Sequence, residues 1–320
     1  MIGSVELVVL LALLALVLLV ALPRWVTGER FLVRWGVPRP TGEQIDAANR
    51  YLRRRRLLYP VCWLGGPALM LLVADLVGPA DGLNGRRLWG LLASVLAALL
   101  LAELLATLRP ARGTVRSALL VRRRLRDLVP WWAVSAHLLL IGLVTAQAGA
   151  AIAAHSWAAA VVAADAAAAA PTAGDQPAGG YLDAGYVRTA LDVSGSWLVL
   201  ADVALGLLAV YGVVLLAVRR RAEADPQVDP VLRTRSARVA VGVGIGLALG
   251  LVNQTNSQIS ALHNLASGAL NPVDLPAEPG WLALAARLDG YGMVAALAIG
   301  LIAWRMVVAP PPRPVPAATA

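Results

Sequence analysis

Residues Asn49 to Trp63 read NRYLRRRRLLYPVCW. Four consecutive arginines, Arg53, Arg54, Arg55 and Arg56, run straight into an apolar segment. Guanidinium groups are expelled from hydrocarbon, whereas an apolar run of roughly 20 residues crosses the ~30 Å bilayer core as a helix. The junction therefore marks the edge of a membrane span. Short cytoplasmic loops collect basic residues, so the arginines also say on which side that edge lies.

The pattern recurs along the chain. Of 320 residues, 59% are hydrophobic, against about 45–50% in a soluble domain. The excess is gathered in long runs such as Val5 to Leu22, VELVVLLALLALVLLVAL. That first run has neither a basic leader nor a small-residue cleavage site, and reads as a retained span. Seven spans can be drawn, at 4–22, 58–77, 88–108, 130–153, 196–218, 237–253 and 290–308. Together they make an all-α polytopic bundle in a single domain, 1–309, followed by a disordered proline-rich tail, 310–320. With this division 24 of the 28 arginines fall in alternate connectors or, for Arg238 and Arg305, at the span ends beside them. The N-terminus is then outside and the C-terminus cytoplasmic. Arginine used to the exclusion of lysine reads as a high-GC bacterial coding bias, so a bacterial plasma membrane is the expected location.

The connectors differ in character. Segment 41–57 opens with Thr41 and Gln44, the spacing of a capping box. Ile45, Ala48, Tyr51 and Leu52 follow on one face, predicting an amphipathic cytoplasmic helix near the bilayer surface. Its arginines could hold anionic headgroups, at about 1 kcal/mol each. Contact with lipid outweighs contact with nucleic acid, because the run sits within a turn of a span. The 219–236 connector carries two prolines and reads as irregular. The outer connectors, 156–195 and 254–289, contain an alanine tract and a polar run. Trp89, Trp131, Trp132, Trp157, Trp197 and Trp304 lie near drawn span ends, where indole rings favour the interface.

Inside the spans, small residues and ionisable groups stand out. Gly242, Gly246 and Gly250 form one stripe, and Gly292, Ala296 and Gly300 another. Such stripes let backbones approach closely, so spans six and seven are expected to pack together. Gly65-Gly66-Pro67 should kink span two. Intramembrane ionisable residues point to function by default. Asp202 lies about 9 Å into span five at 1.5 Å per residue, on a face of small residues. Asn253, Gln254 and Asn256 belong to a polar run that could line a solute mouth, and could equally be a solvated helix end. Glu103 and His137 could form an inner proton-handling pair; for Glu103 the plainer reading is an ion pair with an arginine.

Absences narrow the classes. The chain has three histidines and one cysteine, so multi-cysteine metal sites and disulfides are ruled out and a zinc site lacks ligands. No cofactor is expected, and no nucleophile-and-base pair suggests an enzyme. The expectation is a non-enzymatic membrane protein, either a small-solute or ion transporter or an accessory subunit. The first alternative is a scaffold that binds a membrane-protein partner or a second copy. The second, weaker one is an intramembrane enzyme for a lipid-linked phosphate, with Glu103 beside Arg109 and Arg112.

Overall fold

The computed structural model describes residues 27–56, most of 96–105, 125–168, 184–219, 227–267 and 276–309, with a few single positions between them. Every regular element within these residues is a helix. In chain order they are α1 (Gly28–Arg34), α2 (42–56), α3 (96–105), α4 (Leu125–Leu128), α5 (Trp131–Ala168), α6 (Ala184–Leu191), α7 (Val193–Arg219), α8 (Val228–Ser267) and α9 (Gly280–Val308). The spans expected at 4–22 and 58–77, with the Gly65-Gly66-Pro67 break, lie outside the described residues. So do the start of the third span and the tail.

Local sequence explains the first two helices. Thr27 caps α1, its side chain accepting from Arg30 N. Gly36, at φ +100°, ends it. Val37 N donates to Leu32 O at 2.9 Å and Gly36 N to Val33 O at 3.3 Å. These are the paired bonds of a Schellman turn, which places a left-handed residue, usually glycine, at this position. In α2 the Thr41 and Gln44 backbone amides donate to each other's side-chain oxygens. This is the reciprocal bonding of a capping box. The apolar face of α2 is covered by protein: Ala48 and Leu52 join Phe31, Leu32, Val37, Val228 and Leu232 in one core. A fully buried leucine such as Leu32 contributes roughly 1.5–3 kcal/mol in water. The two helices touch closely, since a Cβ on Gly28 would lie 2.6 Å from Ile45 O.

Among the described residues four helices are long and apolar enough to cross a membrane: α5, α7, α8 and the second part of α9, with mean hydropathy 1.7, 2.4, 1.5 and 1.6. Two of them exceed the expected spans. At 1.5 Å per residue, the 38 residues of α5 extend about 57 Å and the 40 of α8 about 60 Å, roughly twice the hydrocarbon thickness. The irregular reading of the 219–236 connector is thereby corrected over 228–236, and the two outer connectors begin with helix. Residues 228–236 are helical, with Pro230 in the first turn, where its missing N–H costs nothing. The polar run 253–258 continues α8 to Ser267. The alanine tract continues α5 to Ala168, because alanine has the highest helix propensity.

The helices fall into two compact units. Of the described residues, one holds those up to Val134, those within Leu207–Gly244 and those from Ala303 onward; the other holds those within Ser135–Gly206 and Ile245–Ile302. In the second, Ala151, Ala154, Ala158 and Val161 of α5 form a stripe spaced three, four, three. It packs with Ile259, Leu262 and Leu265 of α8 and Leu282 of α9. Trp157 belongs to this cluster and donates to Pro276 O at 3.2 Å. It is therefore a packing residue of this cluster. The most apolar window of α8 is 78% buried, against 33%, 33% and 22% for α5, α7 and α9. Thus α8 is the most enclosed by protein of these four helices.

Candidate functional site

Enclosure of α8 forces its polar side chains to find protein partners, because a buried polar group without a hydrogen bond is costly. The stretch Arg233-Thr234-Arg235-Ser236-Ala237-Arg238 shows how. A helix turns 100° per residue, so Arg235, Ser236 and Arg238 stand about 200°, 300° and 140° around from Arg233. Four polar residues can then reach different neighbours. Arg233, only 2% exposed, donates through Nη1 to Ala217 O at 2.8 Å and Val218 O at 3.0 Å. These carbonyls lie in the last turn of α7, where helical partners run out and the dipole favours a cation. Its Nε donates to Asp229 Oδ2 at 2.7 Å, one turn earlier. Arg238 Nη1 donates to Ala309 O at 2.9 Å, just past α9. Arg235 lies over the Phe31 ring, 5.0 Å from its centroid, and 5.8 Å from that of Tyr51.

Ser236 connects this helix to α2 and α3. Arg55 Nη2 donates to Ser236 Oγ at 2.6 Å and pairs with Glu103 Oε1. Tyr51 Oη meets Ser236 Oγ at 3.1 Å, and the Arg55 guanidinium lies 4.5 Å from the Tyr51 centroid. Arg55 and Glu103 are 4% and 1% exposed. Arg55 is thus not a headgroup contact, which corrects the expectation for that residue. On α2 it shares the buried side with Gln44, Ala48 and Leu52, while Arg53 and Arg54 are exposed and Arg56 is half-buried. The partner of Glu103 is an arginine brought in by tertiary packing. Arg109 and Arg112 lie outside the described residues.

One glutamine ties two helix starts together. Gln44, engaged in its own capping box, donates Nε2 to Asp225 Oδ2 at 2.7 Å. Asp225 Oδ1 accepts from Gln227 N at 2.8 Å and Val228 N at 3.0 Å, at the head of α8. Burial alone would raise the Asp225 carboxyl, but these hydrogen bonds, led by Gln44, outweigh it and hold its pKa below the usual value.

In the second unit the polar run divides by face. Thr255 and Gln258, one turn apart, are buried. Thr255 Oγ1 donates to Gln147 Oε1 at 2.6 Å. Gln258 Oε1 accepts from Ser196 Oγ at 2.7 Å, and its Nε2 donates to Asp192 O at 2.9 Å. Asp192 in turn caps α7, accepting from Gly195 N at 2.8 Å. The residues singled out in the sequence lie off this face: Asn253 is exposed, and Gln254 and Asn256 are half-buried. Asp202 is half-buried on α7. His137, 1% exposed on α5, belongs to the second unit and Glu103 to the first.

The small-residue stripes are used unevenly. A Cβ on Gly300 would lie 2.5–2.8 Å from the Leu249 side chain, and one on Gly206 3.0 Å from Leu247 Cδ2. Two leucines of α8, about 200° apart around the helix, thus enter glycine gaps on α9 and α7. Ala296 and Gly300 are buried. Gly292, by contrast, makes no close approach: among the described residues nothing lies within 4 Å of a Cβ placed there. Gly242 and Gly250 are buried and Gly246 is half-buried.

Among the described residues no group of three His, Cys, Asp or Glu side chains could hold a metal ion. The chemistry on view is hydrogen bonding and ion pairing between helices. Sequence reasoning counted Arg233, Arg235 and Arg238 toward topology alone, passed over Ser236, and took Thr255 and Gln258 only as members of the polar run 253–258, although helical spacing across 233–238 and 255–258 carried the signal. No family model, curated protein or solved structure matches the chain.

Proposed function

We infer that the chain is a non-enzymatic, multi-pass accessory subunit of a bacterial plasma membrane, with seven spans, an outer N-terminus and a cytoplasmic C-terminus. Its role is to hold a fixed helical frame for assembly in the bilayer, with a membrane-protein partner or a second copy. One observation carries this reading. The buried polar side chains of α8 are bonded to neighbouring helices in both units, through Arg233, Ser236, Thr255 and Gln258. Bonds of this kind fix the packing of helices within each unit. The orientation has separate support. The arginine-rich segments 27–56 and 228–238 and the end of α9 meet within one unit, as connectors sharing one membrane side would.

The test is chemical cross-linking in native membranes, followed by mild-detergent purification. The assembly reading expects a complex of constant stoichiometry. A lone monomer that conducts a solute in liposomes would contradict it. Small-solute or ion transport is the second reading, favoured by Asp202, half-buried within the apolar helix α7. It expects Asp202→Asn to abolish flux while the unfolding temperature stays unchanged.

A further inference from the structure

The first unit places a second arginine beside the Arg55–Glu103 pair, with different surroundings. Arg235 lies over the Phe31 and Tyr51 rings, contacts that fix the plane of its guanidinium. Its Nη1 is buried with no hydrogen-bond partner among the described residues. A buried charged donor left without an acceptor is costly, and arginine's planar fork is suited to bidentate binding of phosphate oxygens. Arg56 is half-buried at the end of α2. The Arg55–Ser236 bond and the Arg235–Tyr51 contact bring the end of α2 against this turn of α8; partial burial, and after it the positive charge of Arg235, lower the Arg56 pKa. In sequence the apolar run that opens span two begins immediately after Arg56, so this pair belongs at the membrane edge, at headgroup depth.

We propose that Arg56 and Arg235, the latter fixed by Phe31 and Tyr51, form a binding site for a phosphate group at the membrane edge between α2 and α8. Two sources share this chemistry, the phosphodiester of an anionic phospholipid and a free phosphate. The site goes beyond the assembly reading and does not depend on it, because its test is run on the purified protein alone.

The experiment measures thermal stabilisation of the full-length protein in a neutral detergent. It is titrated in turn with a short-chain phosphatidylglycerol, a short-chain phosphatidylcholine and inorganic phosphate. The expected result is saturable stabilisation by phosphatidylglycerol and none by the zwitterionic lipid. Losing one charge-assisted contact corresponds to a roughly tenfold weaker midpoint, expected for Arg235→Gln and for Arg56→Gln. Arg54→Gln removes an exposed charge nearby and is expected to leave the midpoint in place. Stabilisation by inorganic phosphate as strong as by the lipid would assign the site to free phosphate and also uphold it. If Arg235→Gln does not fold, Arg56→Gln decides. The proposal is overturned if no anion stabilises the protein, if Arg56→Gln binds as the wild type does, or if Arg54→Gln weakens binding as much as the site variants.

Discussion

Removing the Arg233 side chain would strand two kinds of group at once: the carboxylate of Asp229, buried one turn away, and the terminal carbonyls of α7. Breaking a buried ion pair from one side costs about 3–5 kcal/mol. Arg233→Ala should therefore lower the unfolding midpoint in detergent by far more than Arg53→Ala, which changes an exposed position. Asp229→Leu combined with Arg233→Met should recover part of the loss, because it removes both charges together. A midpoint for Arg233→Ala equal to that of Arg53→Ala would contradict the capping role. In the sequence, Arg233 is one of many arginines, and charge counting assigns them all to topology. The four-arginine run shows the limit of such counting. Arg55 differs from Arg53 and Arg54 only by helical phase, which brings it to the side of Ala48 and Leu52. Thr41 and Gln44 could be read directly, since a capping box is made by residues three apart.

At the scale of the helix, contacts too distant in sequence to be read from spacing decide which small residues matter. Gly300 and Gly292 look equivalent in a small-xxx-small stripe, yet only Gly300 lies against Leu249. Gly300→Ala should destabilise by about 1–3 kcal/mol through overpacking, and Leu249→Ala in the same chain should relieve part of it. Gly292→Ala should change stability by less than about 0.5 kcal/mol, as surface substitutions do. Equal effects at the two glycines, measured by thermal unfolding in detergent, would contradict this packing. The Gln44–Asp225 link gives a pH dependence at the same scale. Its carboxyl has a folded pKa below the unfolded one. Its contribution is therefore complete above the unfolded value and is lost as pH falls through the folded value. Asp225→Asn should make the protein less stable at neutral pH and flatten the stability profile on the acid side. An unchanged acid slope would argue against the link. The lengths of α5 and α8 escaped the sequence reading for a physical reason. Hydropathy registers a helix only where it is apolar, so the alanine-rich and Asn/Gln/Ser-rich extensions looked like connectors.

For the whole molecule, membrane character and all-helical class were legible because long apolar runs admit few other structures in lipid. The partners of the buried polar groups were not, since they depend on which helices become neighbours. The central claim is that the arginine-rich connectors share one side of a bilayer crossed an odd number of times. Cysteine labelling with a membrane-impermeant maleimide tests it most directly. In a Cys62→Ala background, single substitutions Gly3→Cys, Glu43→Cys, Thr172→Cys and Ala318→Cys would be compared in intact and permeabilised cells. The account predicts labelling of Gly3→Cys and Thr172→Cys in intact cells, and of Glu43→Cys and Ala318→Cys only after permeabilisation. Labelling of Gly3→Cys and Ala318→Cys from the same compartment would contradict it.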